Sequence, residues 1–270
     1  MKKSVTACLL TMVCLVFTIQ GEEEKIIRWR TPPDVLKRTK EVNKIEDQAL
    51  LAEIAQNAND FYGRRTAVRK LTDQAVLAKI AIKEGEEFAI RQGAIEKLQD
   101  QTFLAGLAKN NNDRMIRFEA TRKLEDQILL TEIAMNDTDI RVRVLAAARL
   151  EDQTLLTQFA TTNEDADMRR SAIVYLKDKT LVAKIAKNDA DERVRHQAVI
   201  CLNDQVVLAD IAKNDASERV REQAAMSLTD PVVLSEFAKN EKDVVVSRAA
   251  KQKLDLLNRK EGEVITPPQR

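Results

Sequence analysis

At 270 residues, with 44 basic against 43 acidic side chains and 4% aromatics, the chain lacks the charge excess needed to hold a phosphate backbone, and three cysteines cannot build a disulfide framework. Only six glycines and five prolines punctuate it, and four of the prolines (Pro32, Pro33, Pro267 and Pro268) stand near the ends, so the body must be helices joined by short loops. Composition thus argues against a nucleic-acid binder and against a small disulfide-stapled domain.

The first 21 residues, MKKSVTACLLTMVCLVFTIQG, join a basic start to an uncharged apolar run from Val5 to Ile19, which stops just before Glu22, Glu23 and Glu24. That is the pattern of a secretory signal, here with cleavage expected after Gly21. The run falls short of the about 20 residues that a membrane helix needs. The mature chain is therefore expected to be exported, periplasmic or secreted, with no stable membrane span. The alternative is an uncleaved signal that anchors it. Cleavage would remove Lys2, Lys3, Cys8 and Cys14, leave 42 basic against 43 acidic side chains, and leave Cys201 as the sole thiol.

Residues 22–45 read as a charged linker containing Trp29 and then a capping helix over 34–44. Thr31, Pro32 and Pro33 give its start signal, and Val35, Leu36, Thr39, Val42 and Ile45 follow at spacings near 3.6.

From 46 to 254 one unit of 26 residues recurs eight times, most plainly in KDKTLVAKIAKNDADERVRHQAVICL from Lys177 and NDQVVLADIAKNDASERVREQAAMSL from Asn203. The units close on Leu71, Leu98, Leu124, Leu150, Leu176, Leu202, Leu228 and Leu254, and only the second is longer, by one residue. A period of this length with two apolar runs per copy predicts stacked helix pairs that bury their faces only against each other. Each unit has an aspartate at its second position (Asp47, Asp73, Asp100, Asp126, Asp152, Asp178, Asp204, Asp230), as the N-cap of a first helix. That helix carries apolar residues such as Leu181, Val182 and Ile185, and an alanine in its tenth position in every copy, from Ala55 to Ala238. Asn57, Asn110, Asn136, Asn188, Asn214 and Asn240 follow, suiting a left-handed helix end. A second cap (Asp60, Glu87, Asp113, Asp139, Asp165, Asp191, Ser217, Asp243) opens a second helix whose core set is exemplified by Val194, Ala198 and Leu202. Residues 255–270 read as a flexible tail.

The recurring DxxVRxxAxxxL, as in Asp191, Val194, Arg195, Ala198 and Leu202, resembles the HEAT and HEAT-like repeat family over 46–254. The resemblance implies an all-α fold, a right-handed α-α superhelix of about eight helix pairs, and the binding-scaffold role common in that family. The units are short for HEAT repeats and in this resemble the variant leucine-rich repeat, which would make the first helix less regular.

An arginine recurs in the second helix as Arg64, Arg91, Arg117, Arg143, Arg169, Arg195 and Arg221, with Ser247 in the last copy. Seven in register invite an anion-binding reading. The reading adopted is a structural ladder to the cap aspartate nine residues on: Arg143 with Asp152, Arg169 with Asp178, Arg195 with Asp204, Arg221 with Asp230. His196 is the only histidine, on an exposed position, and Cys201 has no partner for a catalytic dyad or a metal site, so no enzyme activity, cofactor or metal is expected. Turns such as NDADE at 188–192 lack the glycine and terminal glutamate of a calcium loop. An enzyme reading survives only because some HEAT-like proteins are phycobilin lyases. Asn136, Asp137 and Thr138 form one glycosylation sequon.

Two residues before the closing leucine the side chain points away from the core set, and the occupants run Arg69, Glu96, Arg122, Ala148, Val174, Ile200, Met226, Gln252. An apolar row of Val174, Ile200 and Met226, flanked by Tyr175 and Cys201 and edged by Arg170, His196 and Glu222, is the expected docking place for a protein or peptide partner. The alternative is a spacer or envelope protein that binds little.

Overall fold

Asp47 turns its carboxylate onto the backbone N–H groups of Ala49 and Leu50, at 2.9 and 3.3 Å, and a helix begins behind it. The same hook recurs along the chain at Asp73, Asp100, Asp152, Asp178, Asp204 and Asp230, and it sets where those first helices start. The computed structural model describes residues 35–240 and 243–262, so the signal, the linker with Trp29 and residues 263–270 lie outside the described residues. Those residues form 17 helices, with no strand among them, in a helical repeat solenoid.

The helices divide into two compact units. The first, to Asp126, holds α1 (Val35–Asn43) and three pairs: α2 (Gln48–Asn57) with α3 (Phe61–Lys70), α4 (Gln74–Ile82) with α5 (Phe88–Lys97), and α6 (Gln101–Asn110) with α7 (Arg114–Lys123). Each pair buries an apolar layer such as Leu51, Ile54, Ala67, Val68 and Leu71, all at most 2% exposed. Side chains of this size each contribute roughly 1.5–3 kcal/mol on burial. The second helices, α1 included, pack side by side, whereas α2 and α4 meet only at a few points.

Capping helix α1 is half a repeat in register. Its Asn43 lies 26 residues before Arg69, and its carbonyl accepts from Lys70 Nζ at 2.6 Å, as the Arg69 carbonyl accepts from Lys97 (2.6 Å) and that of Glu96 from Lys123 (2.5 Å). Each lysine thus satisfies an orphan carbonyl at the end of the preceding second helix. Burial lowers the pKa of Lys97 and of Lys123, in Lys123 with the help of Arg122 and against Glu96. The extra residue of the second repeat falls in the turn at Gly85, whose φ of 72° suits a residue without Cβ.

The second unit, from Gln127, holds five pairs: α8 (Gln127–Asn136) with α9 (Ile140–Arg149), α10 (Gln153–Thr161) with α11 (Ala166–Ile173), α12 (Lys179–Asn188) with α13 (Glu192–Ile200), α14 (Gln205–Asn214) with α15 (Glu218–Ser227), and α16 (Pro231–Asn240) with α17 (Val244–Gly262). The tenth-position alanines Ala134, Ala160, Ala186 and Ala212 are fully buried, and Ala238, which no later repeat covers, is half-buried. Here too the second helices α9, α11, α13, α15 and α17 pack in a row. Helix α17 runs on through 255–262, residues that the sequence reading assigns to the tail.

Several local expectations are corrected. The asparagines that end the first helices keep negative φ; among the described residues the only left-handed non-glycine is Glu151, at φ 55°. The chain instead leaves these helices extended, as at Asp189 (φ −64°, ψ 139°) and Asp215 (φ −64°, ψ 142°). Glu151 closes α9 in a Schellman pattern, with Asp152 N–H donating to the Ala147 carbonyl at 3.2 Å and Glu151 N–H to that of Ala148 at 3.1 Å. The first helices are regular α-helices of nine or ten residues, unlike the less regular first helix of a variant leucine-rich repeat. Of the second-helix caps, Glu87 and Ser217 make no side-chain capping bond.

Candidate functional site

The arginine of each second helix lies on its first turn, beside the loop that joins the two helices of its pair. Arg195 Nη1 donates to the loop carbonyls of Asp189 and Ala190 at 2.9 and 3.3 Å, satisfying groups that would otherwise be orphaned. Its other edge, Nε and Nη2, grips Asp215 of the next repeat at 2.8 and 3.0 Å. Arg169 holds Asp189 in the same bidentate way, both bonds 2.9 Å, and Arg221 holds Asp243. In the first unit, Arg91 reaches Asp113 and Arg64 reaches Glu86, each at 3.2 Å. The ladder is therefore real but its expected rungs are wrong. Asp178, Asp204 and Asp230 sit at the opposite ends of the helices, where they cap α12, α14 and α16, and Asp152 caps α10. A helix of nine residues is about 14 Å long, and an arginine on its first turn does not span that distance.

Arg143 departs from the pattern. The position that would offer it a carboxylate is Asn163, whose Oδ1 accepts from Asp165 N–H at 3.0 Å instead. The guanidinium lies over the Phe159 ring, 5.4 Å from its centroid, and Nε donates to the Ala134 carbonyl at 3.1 Å. It forms no ion pair among the described residues.

A second ladder, missed in the sequence reading, runs along the opposite ends of the helices. The glutamine that opens a first helix bridges the loop leading to the next repeat: Gln101 Nε2 donates to the Lys123 carbonyl at 3.2 Å while its Oε1 accepts from Glu125 N–H at 3.1 Å. Gln74 and Gln153 do the same. The signal was present, since glutamine fills this position in six of eight repeats.

With the arginines committed to the turns, the exposed face of the second helices is left for other uses. In the second unit Val174 follows α11 at 55% exposure and Ile200 ends α13 at 49%, while Met226 on α15 is half-buried. Their inward neighbours Ile173, Val199 and Ala225 are fully buried, so the row is not part of the core. Helices packed at 8–10 Å set the three side chains in a row roughly 20 Å long. Tyr175 is 39% exposed, and Cys201 is half-buried, its sulfur 3.7 Å from Gln197 Nε2.

The polar edge is a chain of ion pairs. Arg170 meets Asp167 at 3.3 Å, Arg193 meets Asp167 at 3.7 Å, and Arg193 closes on Asp191 at 3.0 Å. The Arg193 side chain and its backbone N–H hold the Asp191 pKa down at about 2. Glu222 is exposed, but His196 is half-buried rather than exposed. Burial first, and then the Arg219 cation, lower the His196 pKa below 6.5 against the pull of Glu192. Asn136 of the sequon is exposed at the end of α8.

No group of three or more metal-ligating side chains occurs among the described residues. Nor is any described helix long and apolar enough to cross a membrane.

No known family profile matches the chain, and no curated protein matches it. Among solved structures it is similar to the crystal structure of YibA from Escherichia coli, with 17% identity and a TM-score of 0.47 over 84% of this chain and 98% of that one.

Proposed function

We propose that this protein is an exported HEAT-like scaffold without chemistry of its own, binding an amphipathic helical segment of another protein along the exposed face of its second helices. The observation that supports this reading is the apolar row of Val174, Ile200 and Met226 at the ends of three adjacent second helices, exposed at Val174 and Ile200 and half-buried at Met226, where the first three repeats carry the charged Arg69, Glu96 and Arg122. A row of about 20 Å matches about 13 residues of helix, enough for apolar anchors on successive turns. Arg170, His196 and Glu222 offer both signs of charge at its edge, which favours a partner whose polar flank is also mixed.

A displayed library of amphipathic peptides selected on the purified protein tests the site. Peptides that bind wild type should lose binding to the double variant Ile200→Asp, Met226→Asp while the melting temperature moves little, because neither side chain is in the buried layer. Retained binding, or collapse of the fold, overturns the assignment. A library that enriches nothing favours the spacer reading. Export has its own check: the N-terminal sequence of the secreted protein should begin at Glu22.

A further inference from the structure

The two units treat the same backbone group, the last open carbonyl of a second helix, in different ways. In the first unit a lysine from the following repeat caps it, as Lys97 Nζ does for the Arg69 carbonyl at 2.6 Å and Lys123 Nζ for that of Glu96. A helix end suits an ammonium, because its carbonyls lack amide donors and its dipole favours a cation.

In the second unit the place of that lysine is taken by Tyr175, Cys201 and Ser227, and lysine returns only at Lys253. Where it is first lost, the helix end is closed by other means, since the Ala148 carbonyl accepts from Glu151 N–H at 3.1 Å. The next two ends have no such substitute. Among the described residues the carbonyls of Val174 and Ile200 accept no hydrogen bond, while those beside them do: Tyr175 from Gln153 Nε2 at 3.3 Å and Cys201 from Lys179 Nζ at 3.4 Å. The two open carbonyls belong to the two most exposed members of the apolar row.

We infer that the partner segment bound along this row is basic on the flank facing the helix ends, and that its lysine or arginine side chains cap the Val174 and Ile200 carbonyls. Lys97 and Lys123 make the same contact within the first unit. The inference rests on the row being the binding site and adds the chemistry of what binds there. Hydrogen bonds from a charged donor are stronger than neutral ones, so the match discriminates between partners. Helices packed 8–10 Å apart hold the two carbonyls at about that separation, and seven residues of helix rise about 10 Å. A partner helix with basic residues at that interval, beside apolar anchors of the same interval, meets both carbonyls. Its other flank meets Arg170, His196 and Glu222, so the basic requirement falls on one side only.

Fluorescence anisotropy with the purified protein tests this, using three labelled helical peptides that share one apolar stripe. They carry lysine, glutamine or glutamate at two flank positions about seven residues apart. The lysine peptide should bind about tenfold more tightly than the glutamine peptide, a difference of about 1.4 kcal/mol, and the glutamate peptide most weakly. Cys201→Lys with Ser227→Lys supplies the ammonium groups from within the chain, at a repeat position where Lys97 and Lys123 already fit. It should erase the advantage of lysine over glutamine and melt no lower than wild type. Cys201→Met with Ser227→Met, similar in length but uncharged, should keep that advantage. Equal binding of the lysine and glutamine peptides to wild type, or loss of the advantage in the methionine variant too, overturns the inference and leaves the row standing. Binding that survives Ile200→Asp with Met226→Asp, or no binding by any of the three peptides, overturns the row and this inference with it.

Discussion

Arg195 closes on Asp215 with two parallel hydrogen bonds of 2.8 and 3.0 Å, and so ties the turn of one repeat to the turn of the next. Asp204, nearer in sequence, is engaged elsewhere, on the N–H groups of Val206 and Val207. Both side chains of the pair are largely buried, at 12% and 5% exposure, so removing one leaves a desolvated charge without its partner. Arg195→Ala and Asp215→Ala should each cost about 2–3 kcal/mol and couple strongly in a double-mutant cycle. Asp204→Ala should cost about 1 kcal/mol as a lost cap and add independently to Arg195→Ala. Thermal melts of the single and double variants check this, and coupling of Arg195 to Asp204 rather than to Asp215 would contradict the structure.

The junction between α9 and α11 is the weak rung of the second unit. Arg143 has no carboxylate there, Glu151 is left-handed, and Leu150 is only half-buried where the closing leucines Leu176, Leu202 and Leu228 are buried. Asn163→Asp restores the residue type found at Asp189 and Asp215, and should stabilise the unit by roughly 1 kcal/mol. Hydrogen exchange should slow in α9 and α11, while α15 stays unchanged.

Acid should act in two separated steps. The His196 pKa is lowered in the fold, so its stabilising contribution is whole above about 6.5 and is lost as pH falls through the depressed folded value. The Asp191 pKa is about 2 against 3.8, so its contribution holds above about pH 4 and is lost as pH drops toward 2. NMR titration of the single histidine should give a pKa below 6.5. Arg219→Gln should raise that pKa without restoring the ordinary value, because burial remains the larger cause.

The tenth-position alanines give a positional test of stacking. Ala186 is fully buried and Ala238 half-buried, although both stand at the same place in the repeat. Ala186→Leu should overpack and cost about 1–3 kcal/mol. Ala238→Leu, at the uncovered end, should change stability by no more than about 0.5 kcal/mol. Equal effects in denaturant melts would mean that the last repeat is covered as the others are.

What the sequence determined by itself is everything that repeats locally. The 26-residue period, the cap aspartates and the invariant alanine all act within one repeat or its immediate neighbour, so helix number, helix starts and the buried layers could be read from spacing alone. The outward row of Val174 and Ile200 was legible for the same reason, because a helix places every third or fourth residue on one face. Only the tertiary structure decided which charges meet. Arg195 and Asp204 are nine residues apart but stand at opposite ends of a helix, while Arg195 and Asp215 are twenty apart and adjoin because two successive turns stack. Gln101 likewise finds the loop 24 residues on through stacking, and Arg143 falls back on Phe159 because one asparagine occupies the place of an aspartate. Side-chain pairing of this kind depends on a few ångströms of three-dimensional offset between repeats, which periodicity along the chain does not encode.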